Sequence, residues 1–154
     1  MNSSERGQAI IELALTLPLL LMIVLGVFDF GLMFQRFEVV TNAAREGARL
    51  AVLSDQYTTA QARQRALDYL SAGGVTGNVR TGDCTTTGSG GDICVYVVKQ
   101  TNAITGTTPA VNVDEMLVRV EYDHSFTFVG PIMSLFGGSL GTTPLRVVSR
   151  MRVE

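Results

Sequence analysis

The sequence predicts an α+β protein built from a long N-terminal transmembrane and amphipathic helix, a second short helix and a small antiparallel β-sheet domain. Three observations carry this. Residues 13–28 hold no charged side chain, residues 30–51 repeat with helical spacing, and from Val75 onward the apolar period changes to two.

The first element is a membrane segment. Extending the uncharged run back to Gly7 adds a single charge, Glu12, and gives a length sufficient to cross about 30 Å of hydrocarbon as a helix. Pro18 lies inside the run, where it frees the carbonyl of Ala14 and predicts a helix bend. Residues 1–6 form a short polar head. Phe28-Asp29-Phe30-Gly31 offers no small-residue cleavage pattern after the apolar core, so the run is expected to be retained. Glu12 is the anomaly: a carboxylate costs about 2.5 to 3.5 kcal/mol at the centre of a bilayer helix and less at the interface. Either it is hydrated at headgroup level or it meets a positive charge in an assembly.

The helix signal continues past Phe28. Phe30, Phe34, Phe37, Thr41, Ala44, Ala48 and Ala51 follow steps of four and three along one stripe, with Arg36, Arg45, Glu46 and Arg49 off it. One helix over residues 8–53 is about 69 Å long, so roughly half of it projects from the membrane. Ala43/Gly47 and Ala44/Ala48 are small residues four apart, a spacing that lets another backbone come close. The Ala half of the stripe suits packing on the protein's own domain. The Phe half, next to the bilayer, is expected to meet neighbouring subunits.

Ser54-Asp55-Gln56-Tyr57 breaks the pattern, and Thr58 with Gln61 has the form of a capping box. A helix over residues 59–72 follows, with Ala66, Leu67 and Leu70 on its apolar side, Arg63, Gln64, Arg65 and Asp68 on a solvated face, and Gly73-Gly74 at its end. Residues 75–80 are a weak strand and 93–99 a stronger one. Residues 117–128 alternate most clearly: Val118, Val120, Tyr122, His124, Phe126 and Phe128 face the core, while Arg119, Glu121, Asp123, Ser125 and Thr127 face water. Residues 145–153 alternate likewise. Short loops between the strands predict an antiparallel sheet packed on helix. Between the last two strands, residues 130–138 predict one or two helical turns whose apolar side chains are expected to be tucked under the sheet, the alternative being an exposed apolar knob that serves as a partner site.

Cys84 and Cys94 flank a Thr/Gly/Ser stretch that could close a stapled hairpin between the first two strands. In a reducing cytosol they are free thiols. Beyond a membrane they are expected to form a disulfide, stabilising the fold by at most roughly 3 kcal/mol in the chain-entropy picture.

Composition and motifs argue against several kinds of chemistry. A formal charge of −2 supplies no basic field for a polyanion, so nucleic acid is not an expected partner. Gly137-Gly138-Ser139-Leu140-Gly141 has the form of a nucleophile elbow, but that motif needs a histidine later in the chain, and the single histidine, His124, comes earlier. Asp123, His124 and Ser125 are strand neighbours that point to opposite faces and cannot converge. His124 is read instead as a core-edge histidine with a hydrogen bond. One His and two Cys make no four-ligand zinc site, and Gly88-Ser89-Gly90-Gly91 lacks the Lys of a phosphate loop. No metal, cofactor or catalytic residue is expected.

The Gly7-x-x-x-x-Glu12 spacing before an apolar helix resembles the class III signal of type IV pilins and pseudopilins. Around it, Glu12-Leu13-Ala14-Leu15-Thr16-Leu17-Pro18, Phe28-Asp29-Phe30-Gly31 and Asn42-Ala43-Ala44-Arg45-Glu46-Gly47-Ala48-Arg49 resemble the hallmark segment of the TadE-like pseudopilins of the tight-adherence (Tad, or Flp) pilus. The resemblance covers residues 6–53 closely. It implies a type IV pilin-like fold, removal of a leader by prepilin peptidase between Gly7 and Gln8, and a new amine on Gln8 that Glu12 of a neighbouring subunit complements. It further implies a non-enzymatic minor pilin whose partners are other pseudopilins, the major Flp pilin and an inner-membrane assembly platform. Leu13 stands where major pilins carry an aromatic residue, which fits a pseudopilin better.

The expected organisation is a leader at 1–7, a transmembrane segment at 8–29, an extracytoplasmic continuation of the helix at 30–53 and a small α+β extracytoplasmic domain at 54–154. Arg6 and the N-terminal amine on one side and Arg36 and Arg45 on the other leave the positive-inside count near a tie, so orientation rests on the cysteine pair and the resemblance. The rival reading is a single-pass membrane-anchored binding or receptor domain with Glu12 incidental. A membrane-tethered hydrolase survives only if Ser139 supports an activity.

Overall fold

The computed structural model describes residues 3–53, 56–86, 88–104, 111–135 and 137–153. Ser54 and Asp55, in the expected helix break, and Phe136, in the expected apolar turn, lie outside them. The elements in order are α1 (Ser3–Val52), α2 (Thr59–Ala72), β1 (Val79–Arg80), β2 (Ile93–Ile104), β3 (Val111–His124), α3 (Val129–Leu135) and β4 (Thr143–Arg152). The fold is α+β, with a long apolar N-terminal helix, a second helix and a mixed four-stranded sheet in the order β1-β2-β3-β4.

The chain forms two compact units, Met1–Met33 with Phe126–Gly141 and Phe34–Ser125 with Thr142–Glu154. In the second, small residues let backbones approach. Val40, Ala43, Ala44, Ala48 and Ala51 of α1 are buried, as are Ala62, Ala66 and Leu70 of α2 and Val118 and Val120 of β3. A Cβ on Gly47 would lie 3.2 Å from Ala66 Cβ and 3.3 Å from Val118 Cγ1. The Ala-rich half of the stripe thus packs within its own domain.

Helix α2 begins with a reciprocal cap. Thr58 Oγ1 accepts the backbone N–H of Gln61 at 3.3 Å, and Gln61 Oε1 accepts that of Thr58 at 2.8 Å. Beyond its end, Gly74 takes a φ of 76°, a backbone conformation open to glycine. Arg63 is not solvated as its neighbours are: it reaches across to donate to the carbonyls of Val95, at 3.0 Å, and Arg80, at 3.2 Å.

Strand β2 pairs antiparallel with β3, and β3 with β4. The first strand departs from the expected hairpin. Only Val79 and Arg80 pair, and they run parallel to β2. A parallel pair needs a crossover rather than a tight turn, and residues 81–92 supply one, turning through left-handed backbone at Gly82, Cys84 and Gly91. The sheet is therefore mixed rather than antiparallel throughout.

The water-facing side of β3 is also corrected. Glu121 and Asp123 are fully buried, because the crossover loop and two arginines cover that face. The strand ends at His124, and residues 125–128 leave the sheet. Finally, the expected burial of this apolar turn is corrected: α3 buries none of its side chains, Leu135 being 83% exposed and Met133 exposed.

Candidate functional site

The segment that carries the expected site is the first part of α1. From Gly7 to Val24 every described side chain is exposed, although the run is almost wholly apolar. Within it lie Gly7, Gln8, Glu12 and Pro18, all helical. Thr16 Oγ1 donates to the Glu12 carbonyl at 2.9 Å, a side chain satisfying itself inside its own helix. A helix of this length and composition, with none of its apolar window buried, points to membrane anchoring.

At the end of the apolar run sits Asp29, a residue that sequence reasoning did not single out. Its carboxylate is 1% exposed and accepts three backbone N–H groups, from Thr127 at 3.1 Å, Phe128 at 2.9 Å and Val129 at 2.7 Å. These donors open α3, where helical backbone has no acceptors of its own. Two edge-on aromatic pairs flank the carboxylate, Phe28 with Phe128 at 5.7 Å and Phe30 with Phe126 at 5.9 Å between ring centroids. The available signal was Asp29's place as the first charge after an uncharged run.

The three expected assembly phenylalanines do not share one environment. Phe30 is 52% exposed and is engaged with Phe126. Phe34 and Phe37 are exposed and line an open groove with Glu38, Thr41, Asn42 and Arg45. The groove mixes apolar and charged side chains. Arg36 lies off the stripe: its Nη1 donates to His124 Nδ1 at 3.0 Å, and its guanidinium carbon lies 5.6 Å from the Tyr122 ring centre.

On the domain, Arg80 is a hub. Nη2 lies 2.8 Å from Asp123 Oδ2 and 3.3 Å from Glu121 Oε1, while Nη1 donates to the Thr86 carbonyl. Arg146 Nε completes the cluster 2.6 Å from Glu121 Oε2. Buried carboxylates are tolerated when paired and hydrogen-bonded, and Gly88 N–H adds a bond to Asp123 Oδ2 at 2.9 Å. Cys84 and Cys94 are joined by a disulfide that pins the crossover loop to the second residue of β2. Toward the other end of β2 and β3, Lys99 and Thr101 hold the Asp114 carboxyl below its ordinary value of 3.8 through hydrogen bonds at 2.8 Å and 2.6 Å.

The domain assembles no catalytic group from the residues weighed in the sequence. Asp123 is committed to Arg80 and Gly88, Ser125 is exposed, and Ser139 sits in an exposed loop between α3 and β4 rather than at a strand-turn-helix. Among the described residues no group of three His, Cys, Asp or Glu side chains could hold a metal ion.

Residues 7–49 match the family model of the TadE-like protein. Neither a curated protein nor a solved structure matches the chain. The matched span begins at Gly7, includes Glu12, Pro18, Asp29, Phe30, Phe34 and Phe37, and ends within α1. Over residues 7–49 the chain is similar to the TadE-like family, and the similarity does not extend to the sheet domain.

Proposed function

We propose that this chain is a minor pilin, or pseudopilin, that takes part in starting or assembling a Tad (Flp) pilus. Prepilin peptidase cuts between Gly7 and Gln8, and the new Gln8 amine of one subunit pairs with Glu12 of the next. The observation that supports this reading is the position of Glu12. It is an exposed carboxylate and the single charge in residues 7–28, five residues after the glycine of a TadE-like segment.

The chemistry follows from cost. A lone carboxylate in an apolar bundle is unfavourable, and a nearby ammonium removes most of that penalty. Docking is then favoured only where the two charges align, which sets the register of one helix against its neighbour. The partners on this reading are prepilin peptidase, other pseudopilins, the major Flp pilin, an inner-membrane assembly platform and the bilayer. The domain lies outside the cytoplasm, where the Cys84–Cys94 disulfide persists. The role is structural, with the apolar helix as both anchor and interface.

Glu12→Ala tests it. The variant should accumulate in the membrane at the normal level while pili are lost, and Glu12→Asp should restore part of the piliation. Normal pili on cells carrying only Glu12→Ala would remove the role assigned to this carboxylate.

A further inference from the structure

The unit that holds the apolar run also displays a second apolar surface, outside the segment matched by the family model. Residues 125–145 hold no Asp, Glu, Lys, Arg or His. Within this stretch Phe128, Met133, Leu135 and Leu140 are exposed, with Leu135 the most open at 83%. On the α1 side of the same unit Val27 and Phe28 are exposed as well. Contiguous apolar side chains without charge are rare on a surface that faces only water.

The backbone of this segment is already satisfied from within. The N–H groups that open α3 go to Asp29. At its other end Gly137 N–H donates to the Ser134 carbonyl at 3.2 Å and Gly138 N–H to that of Met133 at 3.0 Å, with Gly137 in the left-handed region at φ 74°. The Ser134 hydroxyl donates to the Pro131 carbonyl at 2.6 Å. A short helix capped at both ends, with its hydroxyl turned inward, can leave water without orphaning these polar groups.

Asp29 fixes where this happens. It follows directly on the uncharged residues 13–28 and holds the start of α3 against that point of α1. We propose that residues 126–135 and 137–141 are a membrane foot, with Met133, Leu135 and Leu140 set into the boundary between headgroups and acyl chains beside the end of the span. The occupant of this surface is lipid, because α3 is tied to the depth at which the apolar run meets the headgroups. The geometry is that of an interfacial segment, whose apolar side sinks roughly 5 to 10 Å below the headgroups. The proposal rests on the reading of residues 8–29 as a bilayer span.

The chain has no tryptophan, so a single Leu135→Trp substitution in the full-length protein gives an unambiguous fluorophore. The variant is reconstituted into phosphatidylcholine/phosphatidylglycerol vesicles containing lipids brominated either near the glycerol end or near the chain end. Met133→Trp serves as a second reporter should Leu135→Trp misfold, and Leu20→Trp reports on the span. The expected result for Leu135→Trp is strong quenching of its indole by the shallow bromines and weaker quenching by the deep ones, with the reverse order for Leu20→Trp. Absence of lipid quenching in both Met133→Trp and Leu135→Trp overturns the foot: shielding from aqueous iodide as well would place a second copy or another protein there, and exposure to iodide would place it in water. Deeper quenching than shallow in Leu135→Trp also overturns it. Failure of Leu20→Trp to be quenched by either lipid refutes the span itself, a separate outcome.

Discussion

Asp29 Oδ2 accepts the backbone N–H of Val129 at 2.7 Å, joining two residues 100 positions apart. The contact is buried, and the same side chain serves Thr127 and Phe128. A single side chain from α1 therefore organises the start of α3. Removing a buried acceptor leaves its donors without partners, at the desolvation cost of each.

Asp29→Ala should release the start of α3 with little effect on the sheet. The local loss is at least about 2 kcal/mol, which corresponds to roughly 30-fold faster amide exchange at residues 127–132. Hydrogen exchange on the membrane-reconstituted protein measures it, with the β2 and β3 amides as the internal reference. Asp29→Asn, which keeps one acceptor oxygen, should fall between the two. Unchanged exchange at 127–132 in Asp29→Ala would show that the aromatic pairs alone hold the segment.

Arg80→Met should destabilise the sheet domain strongly. It leaves the buried Glu121 and Asp123 carboxylates with less positive charge, and breaking such a buried pair costs up to about 3 to 5 kcal/mol. Denaturant unfolding followed by circular dichroism reads the loss. Arg65→Met removes an exposed pair with Glu46 and should change stability by less than about 1 kcal/mol.

Acid should weaken the far end of the β2–β3 ladder through Asp114. Its carboxyl is held below the ordinary value of 3.8 by hydrogen bonds from Lys99 and Thr101. A group whose pKa is lowered by folding contributes stability that is complete above its unfolded value and lost as pH falls through the folded one. The contribution should therefore be present at neutral pH and fade below 3.8. Comparing the acid unfolding of the protein with that of Asp114→Asn measures it: the variant should be the less stable at neutral pH, and the two curves should converge in acid.

What could be read from the sequence depended on whether local pattern and local contact coincide. Thr58 and Gln61 announce the start of α2 because a capping box closes within one turn. The alternation of Val118, Val120 and Tyr122 announces β3 because that face is packed on the domain's own core. Glu121 and Asp123 mislead by the same rule: charge at alternate positions reads as solvent, and the arginine that buries them lies 41 positions away from Glu121. Strand β1 is two residues long and is defined by the register of its partner, a relation no short window contains. Residues 130–135 mislead in the opposite sense, since apolar side chains read as core whether they face protein or another apolar phase. Within the candidate site, Gly7, Glu12 and Pro18 are conspicuous by type and spacing. Asp29 looks like an ordinary helix residue until its partners, about a hundred positions on, are in place.

On the proposed function the chain becomes an assembling subunit only once its leader is removed, and the mature N-terminus shows whether that cut is made. Intact-mass and N-terminal peptide mass spectrometry of the protein from the membrane fraction should find Gln8 as the first residue in cells with active prepilin peptidase, and Met1 in cells lacking it. A protein that begins at Met1 in both backgrounds would rule out processing and with it the proposed pilin role.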